Sequence, residues 1–374
     1  MTALNKKYYI RFSPLTPLCV GTGNEGDWVK GADYVVDKRN KKVYVIDLGL
    51  VQQEGIDLQR VTDLFLKGDN DGIVTILGNK IGKTAKYIFD LPCDSDNNIK
   101  TFERSQLLNK PLVPGSSLKG AIRSALFNYL RDNEANNEAV FGNMKDGTDF
   151  MRFIQVGDIV LPQTRLFNTK IFNLQGHGME LEGGWKHAGR MTSYDFNSLG
   201  FNTLYECVAT GDIGYGTISL CSIPFQALSR NPNVHMPHEE KKRGILNGNL
   251  HSLFAVINQV TKSYLQRERH FFDEFPAEYS DEIIECIDYL LEKIPADNSC
   301  CLLKMSAGSG YHAITGAWKY NDFTDTAIDR KTGKMMYKSR KIVEEDCGLS
   351  LMGFVKLSDA TEAEYFAHLD RMSR

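Results

Sequence analysis

The sequence has no apolar run approaching the roughly 20 residues that a membrane span needs, and no charged-then-apolar leader at its start. These absences predict a cytoplasmic protein without a membrane partner. Cysteine is sparse at eight residues, and no two form a Cys-x-x-Cys pair; only Cys300 and Cys301 are adjacent. A chain of 374 residues has no need of disulfide staples, so free buried thiols are expected. Excess positive charge is missing too: 44 Lys and Arg against 47 Asp and Glu give −3 at pH 7. A protein that holds nucleic acid by bulk charge is usually basic throughout. Any such site here has to be a local stripe, which suits a subunit docked in a larger assembly.

A nucleotide loop of the required spacing is also lacking. Residues 78–84 read GNKIGKT, but a phosphate cradle needs four residues between Gly and Gly-Lys-Thr so that successive amides wrap the phosphates. Gly78 and Gly82 enclose three, and the following AKYIFD reads as strand where a helix is required. A basic hairpin is expected there. His235 and His238 have no second ligand pair at useful spacing, and Pro237 opposes a helix presenting both rings, so they read as surface loop. Neither a metal nor a cofactor is expected.

What is present is globular: 42% hydrophobic and 24% charged residues are enough to bury a core, and the length suggests two domains. Residues 7–15 alternate as an opening strand, and two short strands at 33–37 and 42–46 flank a polar turn. Residues 48–66 read as a helix broken near Gly55 and closed at Gly68. Further strands are expected at 152–161, 203–210, 217–223 and 350–357, and amphipathic helices at 250–264 and 281–291. Residues 175–200, rich in Gly and Asn, read as a mobile insertion that orders on contact with a partner, or as a plain surface loop.

The most informative stretch is 111–130, PLVPGSSLKGAIRSALFNYL. Leu118, Ala121, Ile122, Ala125, Leu126, Tyr129 and Leu130 keep the spacing of one helical face. Pro114 and Gly115 break the chain before it, and Ser116 or Ser117 is placed to cap the first turn. Lys119 and Arg123, four apart, project side by side on the wet flank. Backbone donors, hydroxyls and cations at one helix start suit a phosphate; the plainer reading is a capped amphipathic helix with a solvated basic flank. Gly21, Thr22 and Gly23 form a loop after the first strand, where backbone can approach a ligand closely. Gly308, Ser309, Gly310 and Tyr311 repeat that theme. Residues 330–341 then crowd six cations into twelve positions, Lys338, Arg340 and Lys341 among them; such a run is usually a solvated face. Tyr311, Tyr337 or Trp28 would be available to stack bases.

VPGSSLKGAIRSAL resembles the core motif of the RAMP superfamily, the repeat-associated RNA-binding subunits of CRISPR effector complexes. In that family an apolar residue, Pro-Gly-Ser-Ser-Leu-Lys-Gly and a following Arg open the first long helix of a ferredoxin-like (RRM-like) domain. Length, the glycine-rich loop in the C-terminal half and the basic run before the strand SLMGFVKL are similar to the fifth Csm proteins of type III-A systems. Met352 and Phe354 depart from that family's Leu-Gly-Trp-Val-Lys-Leu-like strand. The resemblance implies an α+β chain of tandem ferredoxin-like domains, 1–205 and 206–374, the second degenerate. It implies a non-catalytic antiviral-defence subunit that caps the backbone filament at the crRNA 3′ end and supports crRNA maturation. Implied partners are the 3′ portion of crRNA, target RNA, a backbone RAMP subunit, a small helical subunit, and a host exonuclease that trims the guide. The RNA contacts would fall on the Gly21, Gly115 and Gly308 loops and on Lys119, Arg123, Lys338, Arg340 and Lys341. The alternative is a backbone-type RAMP endoribonuclease cutting target RNA with Asp33. One carboxylate does not make a metal site, and a loop carboxylate closing a turn is the simpler reading of Asp33.

Overall fold

The opening strand, β1 (Lys6–Pro14), buries Ile10 and Phe12 while Arg11 between them is exposed, the period of two of a strand with one face on a core. The computed structural model describes residues 6–23, 26–93, 98–132, 136–177, 180–187, 192–198, 200–308, 310 and 339–374. After β1 come β2 (Tyr34–Asp37) and β3 (Lys42–Ile46), then the short helices α1 (Leu48–Gln53), α2 (Leu58–Leu66), α3 (Asn70–Leu77) and α4 (Ile81–Thr84), then β4 (Ala85–Asp90). Asp47, Asp57 and Asp69 each cap the helix that follows, their carboxylates accepting first-turn N–H groups. β5 (Leu112–Val113) leads into α5 (Gly115–Leu130) and α6 (Asn137–Phe141), followed by β6 (Ile154–Val156) and β7 (Ile159–Val160). Next are β8 (Arg165–His177), β9 (Glu180–Lys186), β10 (Thr192–Ser193), β11 (Asn202–Cys207) and β12 (Gly214–Leu220). Four helices follow: α7 (Ser222–Ser229), α8 (Glu239–Asn247), α9 (Leu250–Glu274) and α10 (Ser280–Glu292). β13 (Cys300–Lys304), β14 (Ser339–Glu345), β15 (Gly348–Leu351), β16 (Phe354–Ala360) and α11 (Glu362–Ser373) complete the described chain.

The strands form three antiparallel sheets. The first runs β13-β16-β1-β12-β7-β5, with β6 also on β12; the second runs β10-β9-β8-β14-β15, with β11 on β8; the third is β2-β3-β4. β1 lies between β16, at Phe12↔Leu357, and β12, at Ile10↔Gly216. Leu118, Ile122, Leu126 and Leu130 of α5 pack with Leu253, Phe254 and Ile257 of α9 and with Ile10, Ile218 and Leu357 of the sheet. α9, 25 residues and so about 37 Å long, continues past this core. Its Leu265, Phe271 and Phe272 enter a second core with Phe172, Trp185, Ile342 and Leu351. One helix therefore spans both large sheets. The third sheet buries Val35 and Tyr44 under α1–α4 and turns Tyr34, Val36 and Val45 toward Leu166 and Leu204 of β8 and β11.

Most expected elements are present, and the departures have physical causes. The segment 350–357 is two strands, because Gly353 at φ 92° turns the chain from the second sheet into the first. That conformation suits glycine and few other residues. Residues 78–84 form a 3₁₀ turn and α4, and only AKYIFD is extended; the basic hairpin is not formed. Within 175–200, residues 180–186 are not loop but a strand, β9, paired with β8. Its Trp185 is fully buried, with Nε1 donating to the Glu278 carbonyl at 2.8 Å. The division at 205/206 is not a division between sheets: β12 and β16 from the second half flank β1, and β14 pairs with β8. Among the described residues no helix is long and apolar enough to cross a membrane.

The fold also buries a lysine that has no hydrogen-bond partner among the described residues. Lys242 of α8 is 0% exposed, its Nζ lies 5.5 Å from the Phe150 ring centroid, and desolvation pushes its pKa down to about 7. A lysine depressed in the folded state destabilises it fully below about pH 7, and the penalty fades as pH rises toward the unfolded value near 10.5. Lys242→Met is expected to raise the melting temperature at pH 7. It should also abolish the gain in stability of the parent between pH 7 and about 10, as read by denaturant titration at several pH values.

Candidate nucleic-acid interface

Helix α5 starts where the sequence places it, with a different cap. Pro114 is the N-cap residue and makes no side-chain cap bond, and Ser116 and Ser117 lie inside the first turn. The cap comes from across the sheet: the Gly115 N–H donates to Asp158 Oδ1 at 2.7 Å. A β-carbon at Gly115 would stand 2.2 Å from the Val156 carbonyl oxygen, so only glycine lets the helix begin flush against the β6–β7 link. The Gly115 amide is thus occupied by a carboxylate, which corrects the picture of an open ring of donors. What the first turn offers outward is Ser116, exposed, and Ser117 and Lys119, half-buried. Lys119 is near Cys221, whose thiol burial raises and the ammonium draws back down. Arg123 is half-buried with its guanidinium 4.7 Å from the Phe141 ring centroid, so it is braced on an aromatic and not freely solvated.

Backbone hydrogen bonds join this helix start to both glycine loops. Ala307 N–H donates to the Cys19 carbonyl at 3.1 Å, Glu103 N–H to the Val20 carbonyl at 2.8 Å, and Leu112 N–H to the Glu103 carbonyl at 2.8 Å. Leu112 lies three residues before the helix, so the Gly21 loop and the strand entering α5 are two strand spacings apart, about 10 Å. Gly21, Thr22 and Gly23 are all exposed, and Gly21 bridges Phe102. The connecting segment is held from behind by Glu206, fully buried, which accepts the Phe102 N–H at 2.8 Å and pairs with Arg104.

The second loop contributes less than its sequence promised. Gly308 is buried, and a β-carbon there would meet the Met352 carbonyl oxygen at 2.3 Å; it serves packing, while Gly310 is exposed. Lys341 Nζ donates to the Ala307 carbonyl at 2.9 Å and stands 5.1 Å from the Tyr205 ring centroid, which ties β14 to this loop. Arg340 is not on the surface. It is 7% exposed, its Nε and Nη2 donate to the Glu268 carboxylate at 3.1 and 3.3 Å, and its guanidinium lies 3.4 Å from the Phe271 centroid. Trp28 is half-buried and stacked on Tyr87 at 5.8 Å, so its ring face is already used. Ser309, Tyr311, Tyr337 and Lys338 lie outside the described residues. Asp33 is exposed, and its Oδ2 accepts the Val29 N–H at 2.8 Å, closing the 29–33 turn. Among the described residues no group of three His, Cys, Asp or Glu is arranged to hold a metal ion.

The arrangement therefore presents a glycine loop, a hydroxyl-bearing helix start and Lys119 along one backbone ladder. That chemistry grips phosphates and ribose and does not read base edges. A profile of the RAMP superfamily matches residues 11–316. No curated protein sequence matches. Among solved structures, the fold is similar to a chain of the cryo-EM Csm–crRNA–target RNA ternary complex of a type III-A CRISPR-Cas system. The TM-score is 0.63 at 15% identity, covering 94% of this chain and 100% of that one. It is likewise similar to the crystal structure of T. onnurineus Csm5, with TM-score 0.60 at 16% identity, covering 92% and 99%.

Two substitutions test how the ladder is positioned. Asp158→Ala should cost about 1 kcal/mol, the loss of one helix cap. Glu206→Ala strands the Arg104 guanidinium, a half-hidden charge with one buried partner, and should cost about 3 kcal/mol or more. Chemical denaturation reads both, and the order Glu206 over Asp158 is the expected result.

Proposed function

The chain belongs to the RAMP superfamily, and from that premise we propose that it is an RNA-binding subunit of a type III-A Csm effector complex. In this reading it caps the filament of backbone RAMP subunits at the crRNA 3′ end and sets where the guide is trimmed. It contacts a backbone RAMP subunit, a small helical subunit, and the exonuclease that does the trimming. The observation that carries the reading is the backbone ladder from Ala307 through Cys19, Val20 and Glu103 to Leu112. It lines up the Gly21 loop and the start of α5 as one strip along which a single strand can lie. The fold supports the choice within the superfamily, since this chain covers nearly all of two structures, one from a Csm–crRNA complex and one Csm5. The chain is proposed to be two ferredoxin-like units in tandem, the second degenerate, with β16 lying beside β1.

The subunit is proposed to bind without cutting. Asp33 Oδ2 is engaged by the Val29 amide, the role of a turn-closing carboxylate. The net charge of −3 fits a protein that meets RNA along one strip and other subunits elsewhere.

Lys119→Ala with Arg123→Ala should weaken binding of a single-stranded RNA roughly tenfold at moderate salt. The log–log salt slope should flatten by about 1 to 1.5, as two phosphate contacts disappear. Fluorescence anisotropy checks this, and an unchanged isotherm would favour a scaffold that touches no RNA. In the assembled complex, omission of this chain should disperse the lengths of co-purified guides. Asp33→Ala should leave both guide lengths and target cleavage as in the parent. Loss of one cut position in that variant would instead make the chain a nuclease.

A further inference from the structure

The other end of α5 carries a second concentration of positive charge. There Arg131, the C-cap residue, Lys241 of α8 and Arg267 of α9 line a groove of about 430 Å³ whose lining, among the described residues, holds one carboxylate, Asp132. Among the described residues, three cations stand against one anion, a local excess on a chain that is acidic overall. Asp132 is engaged by Lys241 at 2.7 Å and faces His238 at 3.6 Å. Arg131 and Arg267 face each other closely enough that, after burial, the charge of Arg267 is what lowers the Arg131 pKa from its ordinary value. Cations favour a helix C-terminus, which accounts for Arg131 alone. It does not account for the convergence of side chains from α8 and α9 on the same spot. The volume is in the range that holds small ligands, about 300–1,000 Å³. Tyr129 and Tyr264 are in the lining, each with one lysine ammonium over its ring, Lys241 at 5.8 Å and Lys304 at 5.2 Å, and Asn128, Gln259 and Ser263 supply neutral donors and acceptors.

We propose that this groove between the end of α5 and the middle of α9 is a second phosphate site, filled by the phosphate of a nucleotide, either free or part of a single strand. The Arg131 guanidinium offers planar paired donors to phosphate oxygens, Arg267 adds its charge beside it, and a tyrosine ring accepts the sugar or base. The site is separate from the strip at the helix start. Ala121, Ala125 and Asn128 edge the α9 side of the buried stripe, whereas Lys119 and Arg123 lie on its other flank. Lys119 and Arg131 are also twelve residues apart, about 18 Å along the axis.

The test uses the full-length protein with three probes: inorganic phosphate, uridine monophosphate and a labelled oligouridylate. Arg131→Gln with Arg267→Gln is compared with Lys119→Ala. A loss of at least about fivefold in monophosphate affinity in the groove variant alone, with oligonucleotide binding intact, assigns the groove to a free nucleotide. A comparable loss of oligonucleotide affinity that adds to that of Lys119→Ala assigns it to a strand. Affinities for all three probes equal to the parent's overturn the proposal, whatever Lys119→Ala does to the strip. Should the double variant unfold, photocrosslinking of a 4-thiouridine oligonucleotide and of 4-thiouridine monophosphate to the unaltered protein decides. Adducts on Tyr129 or Tyr264 support the groove, and their absence with both probes overturns it.

Discussion

A helix can begin flush on a sheet only if nothing stands between its first turn and the strands beneath, and the start of α5 meets that condition at Gly115. The missing side chain admits the Val156 carbonyl, and Asp158 takes the first amide. Close approach and capping act on one residue, so the helix has little freedom to slide or tilt. Ser116, Ser117 and Lys119 inherit their positions from that contact. The strand feeding the helix is in turn hydrogen-bonded, through Glu103, to the loop after β1. Rigid backbone geometry places the polar groups of the strip, and of its members only Lys119 depends on the reach of a long side chain.

The motif 111–130 was legible because all its information is local. Apolar spacing, a helix-opening Pro-Gly pair and two cations four apart can be read from a dozen residues, and α5 is a helix from Gly115 to Leu130. The strands and long helices were legible for the same reason. What was not legible was made by partners distant in the chain. Ser116 and Ser117 look like caps in sequence, but a carboxylate 43 residues on from Gly115 does that work, because the chain enters from β5 already directed over β6–β7. Trp185 sits among Gly and Asn residues, and only the pairing of β9 with β8 reveals it as the centre of a core. The groove of Arg131, Lys241 and Arg267 left no contiguous signal at all.

Charge was the property most easily misread. In the basic run 330–341, Arg340 turned inward, where Glu268 supplies two oxygens and Phe271 a ring face. A strand alternates its side chains, so the part of the run that enters β14, residues 339–341, must send some of its members to the buried side. An inward arginine is tolerable only with a fully paired carboxylate, and Glu268 on α9 stands opposite. Lys341, its neighbour, points the other way and ties the strand to the Ala307 turn. Arg340 and Lys341 thus tie β14 to α9 and to the Ala307 turn, a role that their composition conceals.

The position of β1 has a consequence for how the protein is made. Its two neighbours in the central sheet are β12 and β16, about 200 and 350 residues later. During synthesis, at roughly 5–20 residues per second, one edge of the first strand waits tens of seconds for its partner. An apolar strand with an unmatched edge is prone to self-association while it waits, and closure over so long a loop is slow. Nascent chains of this protein accordingly spend a defined interval as clients for chaperones, and fragments ending before Phe354 should accumulate as aggregates even though most of the core residues are present.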